Sequence, residues 1–489
     1  MSEGYPLVRR MGLVGGGSLF VALLLLPPFP GLTESGSRTA AVAVLMAVWW
    51  MTEAIPIPAT AMVPLVLMPT LGILPMSDAA APYAHELIFL FLGGFLIAAA
   101  LERWGLHQRI ALSIVHAVGT GPRRLVLGFM LATAFMSMWI SNTATAAMML
   151  PIAVAMSEVL RPASRTPGEP FPFGTALMLG VAYSASIGGV ATLIGTPPNA
   201  ILAGAASELL GVEIGFVEWM VVGLPVALVL LPVAWLLLVG VLHPPGEIAG
   251  DTGAVLESRR KSLGPMSRGE RIVGTVFGLT AAAWILRSPK TLGTWTLPGI
   301  QTFAPQVEDS TIAIAAAIAL FVLPVDWRKG RFALHWEEAR SLPWGVLLLF
   351  GGGLSLARAM EDSGLAAWIG GLVGGLAGVP TIVVALAVAV LFVFLTEITS
   401  NTATSTMAMP VMAGVAAGLA SNPLTLMAAA ALSASMAFML PVATPPNAIV
   451  FGSGQVTIGQ MARAGFWMNL VAIGVVAVAA SIIVPWALG

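Results

Sequence analysis

Residues 141–151 read SNTATAAMMLP, and residues 400–410 read SNTATSTMAMP. Seven of the eleven positions are identical. Each string sits in the middle of a long apolar segment, 123–160 or 380–420. Ser, Asn and Thr favour caps and turns, because their side chains bond the local backbone. A regular helix is therefore predicted to stop halfway along each segment. Backbone groups inside a bilayer must be satisfied within the protein. The economical solution is a helical hairpin, with Ser141–Thr143 or Ser400–Thr402 opening the second arm.

Two further blocks recur in the same order. TPPNAI stands at 196–201 and again at 444–449, identical at all six positions. FLFLGGFLIAAALERWGL (89–106) aligns with LLLFGGGLSLARAMEDSGL (347–365). An offset of 259 places Gly93 on Gly352, Glu102 on Glu361, Gly105 on Gly364 and Ser141 on Ser400. Three blocks in one order mark an internal repeat.

Composition says where such a repeat resides. Of 489 residues, 9% are charged, against about 25% in an average soluble domain. Hydrophobic residues make up 58%, and 53 glycines come on top of them. Mean hydropathy is +0.93. So few charges cannot cover a water-soluble surface, and the chain reads as one polytopic membrane domain. The net charge of −1 speaks against nucleic-acid binding, and the absence of cysteine excludes disulfides, a thiol nucleophile and Cys-ligated metal. No P-loop, H-E-x-x-H or G-x-S-x-G motif points to a pump or an embedded enzyme.

A helical span needs about 20 mostly apolar residues. Spans are predicted near 11–29, 39–52, 57–74, 87–103, 174–202, 218–242, 270–287, 308–324, 344–361, 424–451 and 464–487. The first is read as a retained helix, since it has no small-residue cleavage site and more spans follow. Eleven crossings with a cytoplasmic N-terminus, each interrupted segment returning to its starting side, put 18 Lys and Arg inside and 4 outside. That split follows the positive-inside rule and leaves the C-terminus outside. The helix at 87–103 then runs inward and that at 344–361 outward, so the repeats are inverted, a mark of secondary transporters. The predicted fold is an all-α polytopic membrane protein with about eleven transmembrane helices and two re-entrant hairpins.

Five parts follow: scaffold helices (1–122), hairpin and transport helices (123–242), a charged cytoplasmic linker (243–271), scaffold helices (272–379), and hairpin and transport helices (380–489). The polar stretch 161–172 is read as a loop. Helix N-termini at the tips offer N–H donors to an anion. Thr196–Asn199 and Thr444–Asn447 should break two more helices, because Pro lacks a donor and clashes with the preceding turn. The freed carbonyls suit a hard monovalent cation such as Na⁺. Ser137 and Thr396 lie four residues before Ser141 and Ser400, so their hydroxyls can face the same pocket. No Lys, Arg or His occurs within 125–160 or 380–420. A bound dianion must therefore be neutralised by helix ends, polar donors and co-bound cations.

SNTAT…P with TPPN, twice, and WWMTEAIPIP (49–58) resemble the divalent anion/sodium symporter family, whose members carry dicarboxylates, tricarboxylates or sulfate. The resemblance covers nearly the whole chain. It implies a homodimer working by elevator-type alternating access; the excess of Arg over Lys, 19 to 3, points to a bacterial inner membrane. It implies about two sodium sites per protomer, one at Ser137, Ser141, Asn142 and the carbonyl of Gly195. The other is at Thr396, Ser400, Asn401 and the carbonyls of Ala443 and Pro445. Substrate carboxylates would meet Ser141, Asn142, Thr143, Ser400, Asn401 and Thr402. Exchangers of the family tend to carry basic side chains at the cation sites; none stands there here, which favours sodium symport of a succinate-, malate- or fumarate-like dicarboxylate. A cation-independent or proton-coupled exchanger and a sodium/sulfate symporter are the alternatives. Glu397 has no acidic counterpart, since Met138 aligns with it; it is read as facing water or a backbone partner, with a proton or cation role as the alternative. Glycines 12 and 16, and 374 and 378, suggest close helix contacts.

Overall fold

The structure is a computed structural model and describes residues 6–162, 171–246, 248–249, 252–292, 295–376 and 378–488. Residues 163–170 of the loop read at 161–172, and 247, 250 and 251 of the linker, lie outside the described residues. The chain opens with α1 (Leu7–Leu25) and α2 (Glu34–Thr52). Gly12 and Gly16 let them approach: a Cβ at Gly12 would lie 1.9 Å from the Thr52 hydroxyl oxygen. A left-handed Glu53 ends α2 and pairs with Arg9 at 2.8 Å.

The segment predicted as one span at 57–74 is instead two short helices, Ile57–Thr60 and Val63–Thr70. Pro56, Pro58, Pro64 and Pro69 explain the difference, since each removes a donor from the helical ladder. Then come α3 (Glu86–Arg103), α4 (Leu106–Val118), α5 (Pro122–Ser137), α6 (Asn142–Val159), α7 (Pro172–Gly189), α8 (Pro197–Leu210) and α9 (Phe216–Leu236). The linker carries α10 (Thr252–Ser262), packed on α4, so it is partly helical rather than a plain charged loop. α11 (Arg268–Ile285) and α12 (Asp309–Val322) follow.

The second repeat reproduces the first. It runs through α13 (Trp344–Asp362), α14 (Leu365–Val373), α15 (Thr381–Thr396), α16 (Asn401–Gly418), α17 (Pro423–Ala434), α18 (Pro445–Phe451) and α19 (Ile458–Val478). The helices α4 and α14 were not read from the sequence. Each starts after a left-handed glycine, Gly105 (φ 70°) or Gly364 (φ 77°), a backbone state other residues adopt only with strain. The expectation of an all-helical chain needs one amendment. Two small antiparallel hairpins occur, β1 (Lys290–Leu292) with β2 (Trp295–Leu297), and β3 (Pro324–Asp326) with β4 (Arg331–Phe332).

Among the described residues, four helical runs are long and apolar enough to cross a membrane: Leu7–Leu25, Met76–Arg103, Phe216–Leu242 and Ile458–Leu488. The other apolar segments are shorter, bent or broken. Spans 174–202 and 424–451 each resolve into two helices around TPPN. The two repeats interlock: α8 packs on α16 and α17, while α18 packs on α6 and α7. Thus each broken helix of one repeat lies against the hairpin arm of the other. Gly374 and Gly378 make no close helix contact; that approach is made by Gly370, Gly414 and Gly418 between α14 and α16.

Candidate functional site

Both SNT strings open helices, as their residue types require. Ser141 caps α6, its hydroxyl accepting the Ala144 N–H at 3.3 Å. Ser400 caps α16 and accepts the Ala403 N–H at 3.5 Å. Ser137 and Thr396 are the last residues of the arms before the turns. At the tips Asn142, Asn401 and Thr402 are half-buried, and Thr143 is exposed.

Oxygen atoms crowd behind the first tip. Ser137 Oγ lies 2.7 Å from the Asn142 side-chain oxygen and 2.6 Å from the Ala185 carbonyl. The same Asn142 amide atom faces the Ala185 carbonyl at 3.0 Å and that of Gly195 at 3.2 Å. With its nitrogen turned inward, the amide donates to these oxygens. With its oxygen inward, four oxygens share a single hydroxyl proton. The second tip repeats the pattern: Thr396 Oγ1 lies 2.6 Å from Asn401 Oδ1 and 2.9 Å from the Ala434 carbonyl. A hydroxyl has one proton and cannot serve two acceptors. Both hydroxyls are fully buried. A surplus of hydroxyl, amide and carbonyl oxygens is a donor set for a hard cation of low charge. No group of three or more His, Asp or Glu is placed for a metal among the described residues.

Ser137, Asn142, Ala185 and Gly195 are therefore brought together, and Gly195 must be glycine there. A Cβ on it would lie 2.4 Å from the Gly189 carbonyl oxygen. Thr396, Asn401 and Ala434 form the matching cluster. Ala443 and Pro445 flank Thr444, the cap of α18. Among the described residues they join the second cluster through other residues rather than by direct hydrogen bonds to it. The carbonyls of Ala185 and Ala434 were not anticipated. Their signal was present in the sequence as S-A-S at 184–186 and 433–435.

The Asn residues of the TPPN blocks were also missed as structural parts. Asn199 is buried and its amide nitrogen donates to the carbonyls of Gly189 (3.0 Å) and Thr192 (2.7 Å). Asn447 does the same for Ala437 (3.2 Å) and Leu440 (3.0 Å). Each break thus carries its own amide plug for carbonyls that the helix no longer satisfies. Arg358, by contrast, is engaged by Glu208 and Asp362 at 3.7 and 3.8 Å.

Glu397 settles against a backbone partner. Its carboxylate accepts N–H bonds from Phe438 (2.8 Å), Met439 (2.9 Å) and Leu440 (3.1 Å), and from the Asn469 amide (2.8 Å). Away from the tips, an aromatic and ionic clasp joins α9 to α11 and α12. Phe216 stacks between Trp284 (4.6 Å) and Trp139 (5.9 Å), and Trp139 meets Phe277 edge-on. The Phe216 N–H donates to Asp309 at 2.7 Å, and Arg287 pairs with Asp309 and Glu308.

Over residues 12–488 the chain matches the family model described as the sodium:sulfate symporter transmembrane region. It is 42% identical over 494 residues to the sodium-dependent dicarboxylate transporter SdcS of Staphylococcus saprophyticus, covering 100% of this chain and 94% of that protein. The protein of the same name from Staphylococcus aureus strain USA300 is 42% identical over 487 residues, with 98% and 92% covered. Among solved structures, the Alcanivorax borkumensis YdaH transporter superposes with a TM-score of 0.58 at 15% identity, covering 92% of this chain and 99% of that one. Neisseria gonorrhoeae MtrF gives 0.57 at 14%, covering 97% and 95%. At such identities these two speak to the fold alone.

Proposed function

The chain belongs to the sodium:sulfate symporter family of divalent anion/sodium symporters, which are transporters and not enzymes, and from that premise we propose that it carries a dicarboxylate together with sodium. The carrying observation is the convergence of hydroxyl, amide and carbonyl groups at Ser137–Asn142–Ala185–Gly195, repeated at Thr396–Asn401–Ala434. A sodium ion at each cluster would be held by these oxygens, with the Asn142 amide turned oxygen-inward to receive it. Ser141, Asn142 and Thr143 at one tip, with Ser400, Asn401 and Thr402 at the other, would then receive a carboxylate each.

Full-length similarity to proteins named for sodium-dependent dicarboxylate transport favours a dicarboxylate over sulfate, the anion in the family description. Two tips around one site also suit two carboxylates better than one tetrahedral ion. The remaining features of this reading are an inner-membrane homodimer, the N-terminus in the cytoplasm, the C-terminus outside, re-entrant hairpins and an elevator-like movement of the hairpin helices past the scaffold. Labelled succinate uptake into proteoliposomes tests the substrate class. Malate and fumarate should compete and sulfate should not, and only with sodium present. Inhibition by sulfate at the same concentrations would transfer the assignment to a sulfate carrier.

A further inference from the structure

The two cation clusters are built alike, but only the second has a charged residue beside it. Residue 397 is Glu in the second repeat, and Met138 stands in its place in the first. Glu397 is 3% exposed and lies next to Thr396, one residue outside the second cluster. Every hydrogen bond it makes among the described residues is one it accepts, four in all. That environment suits a carboxylate, an acceptor only; a carboxylic acid would need an acceptor for its own proton. No Lys, Arg or His lies within 380–420 to balance the charge.

The three backbone donors, Phe438, Met439 and Leu440, lead directly into the break. The Leu440 carbonyl in turn accepts from the Ala443 N–H (3.2 Å) and the Asn447 amide (3.0 Å). One carboxylate therefore fastens the end of α15, the break before α18 and, through Asn469, helix α19. In the first repeat the corresponding tie is neutral, a hydrogen bond from the Thr192 hydroxyl to the Met138 carbonyl.

We propose that Glu397 is a positioning residue that makes the second cation site the stronger of the two. It does so by fixing the backbone at 438–440, to which the Ala443 N–H is bonded, and by placing a negative charge one residue from the Thr396 ligand. The proposal rests on the sodium-symport reading above and adds to it an inequality between the sites. Sodium should fill the second cluster first, and Glu397 should set that affinity without touching the ion or the anion.

The test is binding of radioactive sodium to the purified protein in detergent, without dicarboxylate. Glu397→Gln keeps shape and removes charge; its half-saturating sodium concentration should rise about tenfold, the scale of one nearby charge in a protein interior. Combining it with Thr396→Ala should add little further loss, because both act on one site. Combining it with Ser137→Ala should multiply the losses, because that variant acts on the other. Dicarboxylate affinity at saturating sodium should stay within about twofold of wild type. Wild-type sodium binding in Glu397→Gln, or losses that merge with Ser137→Ala rather than Thr396→Ala, would overturn the proposal. If the wild-type protein binds no sodium, the symport reading itself fails. If Glu397→Gln does not fold, Asn469→Ala carries the test, since it keeps the charge and removes one donor. A rise of about threefold in half-saturating sodium supports the proposal, and no change overturns it.

Discussion

Ser137 and Thr396 each place a buried hydroxyl against an Asn amide and a backbone carbonyl, and that placement governs the residue-scale predictions. Replacing either with Ala removes one ligand from a small set. The loss should be about 1.5–3 kcal/mol, so half-saturating sodium should rise about tenfold or more. Dicarboxylate affinity at saturating sodium should hold near wild type, and transport titrated against sodium reads both. Asn142→Ala and Asn401→Ala should each abolish uptake with expression intact, because each Asn stands between the oxygen cluster and the tip. Asn199→Ala and Asn447→Ala fail differently: each strands two buried carbonyls, and thermal unfolding should show a loss of about 1–3 kcal/mol per site. The tip residues were legible because polar strings are rare in apolar segments. The carbonyls of Ala185 and Ala434 were marked only indirectly, by the S-A-S string that recurs around each, since a backbone atom leaves no mark in its own side chain. Glu397 was legible as an oddity; its partners lie some forty and seventy residues away, and only the fold brings them together.

At the scale of elements, the two hairpins and the two broken helices follow from Ser-Asn-Thr and from paired prolines. The order of the repeats follows as well. Helices α4 and α14 escaped because they are short and lie between recognised spans, marked only by Gly105 and Gly364. The prolines of 56–69 signalled a break that the hydropathy of the same stretch concealed. The clasp of Phe216 with Trp284 was beyond reach, as aromatic residues in apolar helices are too common to single out a contact. In the proposed division into scaffold and transport helices that clasp crosses from one part to the other, so the proposed elevator-like movement would have to open it. In this cysteine-free chain, Phe216→Cys with Trp284→Cys should crosslink under oxidation, stop succinate uptake and recover on reduction. Undiminished uptake by fully crosslinked protein would mean that these elements do not separate during transport.

Across the whole molecule, the inverted arrangement makes each hairpin arm lean on the broken helix of the opposite repeat. Sodium bound at one cluster, as proposed, would therefore stiffen parts of both tips and give a physical route for coupling cation to anion. The charge distribution further requires Ser421→Cys to label from outside and a cysteine in the 161–172 loop to label from the cytoplasm; the reverse would overturn the orientation. The central claim is that sodium and dicarboxylate move together, and it is tested most directly by following both isotopes in one preparation. Proteoliposomes holding the purified protein are given labelled succinate and radioactive sodium, with and without an inward sodium gradient. Succinate should accumulate above its external concentration only when the gradient is present, sodium should enter in step with it, and Asn142→Ala and Asn401→Ala should abolish both fluxes. Equal succinate uptake without sodium, or succinate entry unaccompanied by sodium, would contradict that claim.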